Sequence, residues 1–203
     1  MTVRVMLVSP ATSAALREAR FDGDGDGDGD GGGPLDEAGA RRARAAAGVV
    51  ARVDRFLSGP SRRCRETAAE LGAAAPPAEV LGELGDWDMG RWRGRRLDEV
   101  GASEPEAVSA WLTDPAAAPH GGESLLALCE RVGGWLRSLP DDAGRVLAVV
   151  EPAVARAAVV HALSLPAEAF WRLDVAPLTL TELSGRAGRW NLRCGRSLGV
   201  DSG

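Results

Sequence analysis

Four residue types are missing from this 203-residue chain: it has no lysine, isoleucine, tyrosine or glutamine. All 24 basic side chains are therefore arginine. With alanine and glycine abundant, this reads as the coding bias of a high-GC bacterium rather than as function. Cysteine is scarce too. Cys64, Cys129 and Cys194 are odd in number, far apart and form no Cys-x-x-Cys pair, which argues against a disulfide framework and for free thiols in a reducing compartment. Only two histidines, His120 and His161, are present, too few for a Cys/His metal cluster. No apolar run approaches the roughly 18 residues of a membrane span. No basic segment precedes the first apolar run, as a secretory signal requires. A net charge of −5 lacks the basic face that nucleic acid demands. The expectation is a cytoplasmic protein without membrane, nucleic-acid or cofactor partners.

Hydrophobic residues make up 45% of the chain, enough to bury a core. Strand-like runs occur at Val3–Val8, Val53–Leu57, Ala78–Leu81 and residues 145–150. Helical patterns are predicted over 11–20, 37–51, 104–112, 123–139 and 152–163, with a further helix after Pro60 that stops at Gly72. "LTLTELS" and "RWNLRCG" read as a closing hairpin. Residues 22–33, "DGDGDGDGDGGG", have almost nothing to pack and form a flexible loop by composition. The reading is one domain over 1–203: an α/β fold with a mostly parallel sheet sandwiched by helices and a C-terminal hairpin.

Three strand-to-helix turns share one form: Ser9-Pro10-Ala11, Gly59-Pro60-Ser61 and Glu151-Pro152-Ala153. Proline suits a first helical turn because its missing N–H would be unsatisfied there anyway, and Ser9 is a good N-cap. In a parallel sheet such turns share the carboxyl edge and converge on one pocket.

At these residues the chain resembles the histidine phosphatase superfamily, in its phosphoglycerate mutase-like branch. "SGPSRRCRETAAELG" is similar to the family's strand-turn-helix ending in Arg-x-Arg-Glu-Thr-Ala, and "LGDWDMGRWRG" to its acid loop. "HGGESLLALCERVGGWL" looks like its Gly-Gly-Glu-Ser helix start, and "VLAVVEPAVARAAVVHALSLP" like its second-histidine region. The resemblance implies a nucleophilic histidine, two arginines on the phosphoryl oxygens, a second histidine and an acidic proton donor.

Set on that pattern, the nucleophile position holds Pro10, the arginine before it is Ser9, and the second histidine position holds Glu151. Arg63 and the acid candidate Asp86 are retained. A carboxylate about 4 Å from an anion costs roughly 4 kcal/mol at an effective dielectric near 20. The expectation is therefore a pseudoenzyme that binds an unknown small molecule or protein through Ser9, Arg63, Asp86, Glu151 and His120, the last at the pocket mouth. The alternative is an enzyme using Asp86 and Glu151 as acid and base, with or without a metal, or a weak residual phosphatase. Some relatives of this fold dimerise, so a homodimer is admitted. Glu151 is expected to pair with Arg63 rather than to hold a cation, and Asp88 to be solvated. Asp26, Asp28, Asp30 and Glu37 satisfy the spacing of an EF-hand loop, although an alternating Asp-Gly tract meets that pattern by accident. Cys64 is read as a small packed residue.

Overall fold

The computed structural model describes residues 2–13, 20–21, 34–50, 53–72, 76–186 and 188–194. Six strands form one sheet in the order β3-β2-β4-β1-β5-β6: β1 Val3–Val8, β2 Arg55–Ser58, β3 Glu79–Val80, β4 Arg145–Val149, β5 Leu180–Arg186 and β6 Arg189–Arg193. β3, β2, β4 and β1 are parallel. β5 runs antiparallel to β1, and β6 closes the hairpin.

Strand β4 explains why helices flank the sheet. Every residue from Val146 to Val149 is buried, the mark of a strand covered on both faces. Its alternate residues serve two cores. Leu147 and Val149 pack with Cys64, Ala68 and Leu71, which lie on helix α2, Arg62–Leu71. Val146 and Ala148 join the larger core, to which helices α5, Leu125–Ser138, and α6, Pro152–Ala162, contribute. The remaining helices are α1 Glu37–Ala45, α3 Leu97–Ser103 and α4 Pro105–Thr113.

Local chemistry sets the helix starts. Ser61 accepts the Cys64 N–H at 3.2 Å and opens α2. Ser124 accepts from Ala127 at 3.2 Å and opens α5. Glu151 is extended, with Pro152 at the first position of α6.

Three expectations change. The segment predicted as a helix over 11–20 has extended ends: Ser13 bridges Leu35, Arg20 bridges Arg96, and residues 14–19 lie outside the described set. The helix expected to run from 37 to 51 leaves the α form after Ala45 and continues as a 3-10 turn over Ala47–Val50, where Gly48 and two valines are weak α-formers. The helix expected from Glu104 is preceded by a separate one. Pro105 disfavours helical geometry at Glu104, which sits at φ −138°, ψ 53° between α3 and α4.

Candidate active site

The turns after β1, β2 and β4 meet at the carboxyl edge of the sheet. Glu151 lies 1% exposed and Arg63 5% exposed. One carboxylate oxygen of Glu151 accepts from Ser61 Oγ at 2.6 Å and Arg63 Nε at 2.8 Å, and the other accepts from Arg63 Nη2. This is a bidentate fork, the strongest form of the pair. Ser61 thus donates to Glu151 while capping α2. Glu151 is a counter-ion, and its carboxylate is fully engaged on the sheet side of the turn. Cys64 Sγ approaches the same carboxylate at 3.5 Å. Burial, then the Glu151 charge, push its thiol well above the ordinary range, which disfavours the thiolate that a nucleophilic cysteine needs.

Ser9 does not cap a helix. Buried, it donates through Oγ to the Ala176 carbonyl and accepts the Thr179 N–H at 3.0 Å. Its hydroxyl ties the end of β1 to the loop before β5. Pro10 follows, buried and without a polar side chain. The expected ligand role of Ser9 therefore meets a hydroxyl already occupied by main chain.

His120 also sits elsewhere than expected. It is 1% exposed, Nδ1 accepts the Gly122 N–H at 3.0 Å, and the ring packs 5.1 Å from Trp92. Burial lowers its pKa. It is a core residue beneath the acid loop rather than part of a pocket mouth. His161 lies on α6, its ring against the Cα of Gly133.

The acid loop is anchored by a residue that sequence reasoning passed over. Arg131 donates to the carbonyls of Glu83 at 2.8 Å, Gly85 at 2.9 Å and Asp86 at 3.2 Å, and forks onto Glu123 at 2.8 and 2.7 Å. Trp87 Nε1 donates to the Glu123 carbonyl at 2.6 Å. Gly122 packs so closely on this loop that a Cβ there would stand 2.1 Å from the Asp88 carbonyl oxygen, a position only glycine can occupy. Asp88, expected to be solvated, has a side chain 47% exposed and also accepts from the Gly90 N–H and from Arg93, both at 2.8 Å.

These anchors leave Asp86 on the wall of a cleft of about 320 Å³ at the carboxyl ends of β2 and β4. Arg20, Arg63 and Arg156 share that wall, with Phe21, Trp87, Trp111, Phe170 and Trp171 supplying an aromatic surface. Arg20 donates to the Gly94 carbonyl at 3.1 Å. Three arginines and one carboxylate thus line the cleft, although the chain as a whole is at −5. Such a site can hold an anion beside a carboxyl group that exchanges protons with it. Arg156 was legible in one respect only: it is a lone charge inside the apolar helix "AVARAAVV".

Among the described residues no group of three or more His, Cys, Asp or Glu side chains is placed to hold a metal. Of the calcium-loop candidates, Asp26, Asp28 and Asp30 lie outside the described residues. Glu37 opens α1 and pairs with Arg41 at 3.4 Å.

A family model described as histidine phosphatase superfamily (branch 1) matches residues 16–196. The chain is 37% identical over 100 residues to a glucosyl-3-phosphoglycerate phosphatase of Mycolicibacterium vanbaalenii, an alignment covering 48% of this chain and 44% of that protein. It is 31% identical over 142 residues to phosphoserine phosphatase 1 of Hydrogenobacter thermophilus, covering 68% of this chain and 64% of the relative. The chain thus spans about half to two thirds of the length of these curated relatives. Among solved structures, a mycobacterial glucosyl-3-phosphoglycerate phosphatase in complex with VO3 superposes with a TM-score of 0.78 at 28% identity, covering 94% of this chain and 96% of that one. A protein described as mycobacterial hydrolase 1 superposes at 0.80 with 27% identity, covering 96% and 98%.

Proposed function

Because the chain belongs to the histidine phosphatase superfamily (branch 1), we propose that it hydrolyses phosphomonoesters, with water in place of the histidine nucleophile. The sequence pointed instead to a pseudoenzyme. That expectation is overturned by the relatives, which are named as phosphatases. Its physical weakness is that a missing nucleophile removes the covalent route alone. Phosphoryl transfer passes through a loose transition state in which positioning and charge stabilisation carry most of the catalysis, and water needs little activation there.

Hydrolysis then proceeds in one displacement. A water oxygen bonds to phosphorus as the ester P–O bond breaks. Asp86, as the acid, gives its proton to the leaving oxygen, and both protons of the water leave with the phosphate product, which sheds one to solvent. Asp86 recovers a proton from solvent. An approaching phosphate dianion raises the proton affinity of this carboxyl. Glu151, the second acid/base group only in the alternative reading, is paired with Arg63. The observation that carries the reading is the placement of Asp86 on one cleft wall with three arginines.

The test is leaving-group dependence. Asp86→Asn is expected to slow release of phosphate from phosphoserine by about 100-fold or more. It should change p-nitrophenyl phosphate turnover far less, since that leaving group departs unprotonated. No turnover above the buffer blank on p-nitrophenyl phosphate, phosphoserine or 3-phosphoglycerate, or equal losses on both ester types, would defeat the proposal.

A further inference from the structure

Two residues that line this cleft carry hydrogen-bond donors with no acceptor among the described residues. Trp111 Nε1 and Arg156 Nε are buried atoms without a partner among the described residues. Trp111 is 8% exposed, so solvent does not answer for the protein. Buried donors are satisfied in the great majority of cases, and each orphan carries a desolvation penalty. Both belong to side chains that line one cleft.

Arg156 strengthens the case. It projects from α6, five residues after Glu151, and its guanidinium carbon lies 5.6 Å from the centre of the Phe170 ring. Among the described residues it takes no carboxylate. A guanidinium resting on an aromatic face, without an anion, is available to one that brings planar oxygen pairs. Arg63, by contrast, already has its carboxylate.

The rest of the wall selects what the anion is attached to. Trp87, Phe170 and Trp171 crowd together with Trp111. Trp111 meets Trp171 edge to face at 4.8 Å, and Trp87 meets Phe170 at 5.4 Å. A volume near 320 Å³ stands at the small end of ligand pockets, which run from roughly 300 to 1,000 Å³. It has room for one ring and a phosphate group.

We infer that the substrates are phosphomonoesters of compact aromatic alcohols. The phosphoryl oxygens turn the Arg156 guanidinium off the Phe170 face and accept from it and from Trp111 Nε1, while the ring packs on the tryptophans. The binding part stands on its own. The turnover part rests on the phosphatase reading.

Calorimetric titration of the full chain with phenylphosphonate, methylphosphonate and orthophosphate tests it, since none of the three is hydrolysed. Phenylphosphonate is expected to bind at least about tenfold more tightly than methylphosphonate, the return on burying an aromatic face. Arg156→Met should weaken it about 10- to 100-fold, the worth of a charge-assisted bond, Arg156→Lys less, and Trp111→Phe about 3- to 10-fold. Melting curves identify variants that have not folded, and the two arginine variants leave the Trp111 core intact. Equal affinity for the phenyl and methyl compounds, or an Arg156→Met protein that binds like the parent, overturns the inference, as does a parent that binds none of them. Phenyl phosphate turnover on the same samples separates the two claims. Binding as expected without turnover removes the hydrolase reading and keeps the site. Turnover indifferent to Arg156 keeps the hydrolase and removes the site.

Discussion

Replacing Glu151 with alanine takes from the Arg63 guanidinium, itself 5% exposed, the carboxylate that neutralises it. Two unit charges about 4 Å apart at an effective dielectric near 20 attract by about 4 kcal/mol. Removing one member of a buried pair costs about 3–5 kcal/mol, the same size. Ser61 also loses its 2.6 Å acceptor. In a domain of this length 1 kcal/mol corresponds to roughly 2–4 °C of melting temperature, so Glu151→Ala should melt roughly 6–20 °C below the parent. The double variant Arg63→Met with Glu151→Leu removes both charges and should recover most of that loss, because buried pairs replaced by apolar side chains are often neutral or better. Thermal unfolding of the parent, Arg63→Met, Glu151→Leu and their double variant closes a mutant cycle. A Glu151→Ala shift below about 2 °C, or strictly additive single effects, would show that the two charges do not depend on each other.

Arg131→Met should free the acid loop: amide exchange at residues 83–90 is expected to speed up while β4 stays protected, with a stability loss of about 1–3 kcal/mol; unchanged exchange there would refute the anchoring role. Glu104 accepts from Arg95 at 2.7 Å, from Trp92 Nε1 at 3.2 Å and from Arg91, contacts that bring its pKa from 4.5 down to about 2. The unfolded chain therefore binds this proton more readily, so the stability contribution is intact above about pH 4.5 and is lost as pH falls through about 2. Glu104→Gln should flatten the stability profile between those values, and an unaltered acid limb would refute the assignment.

The fold was legible where information is local. The proline after β4, the Gly-Gly-Glu-Ser start of α5 and the apolar run of β4 each declare an element within a few residues. The Arg63–Glu151 pair was legible because opposite charges at two turns of one sheet edge have somewhere to meet. What escaped was set by distant partners. The Ser9 hydroxyl finds a carbonyl 167 residues away, so its cap-like sequence misleads. His120 reads as a loop residue until Trp92 and Gly122 close over it. Arg156 and Trp111 gain meaning only by lacking partners, and no sequence pattern records an empty place.

The Ser61–Arg63–Glu151 cluster also limits which single exchanges this site tolerates. Histidine at position 151 would take the carboxylate from Arg63 and the acceptor from Ser61. Two turns of the chain thereby share one fate: a change in charge at Glu151 is felt at Arg63 and at the cap of α2 together, so the cluster can be altered without loss only as a unit.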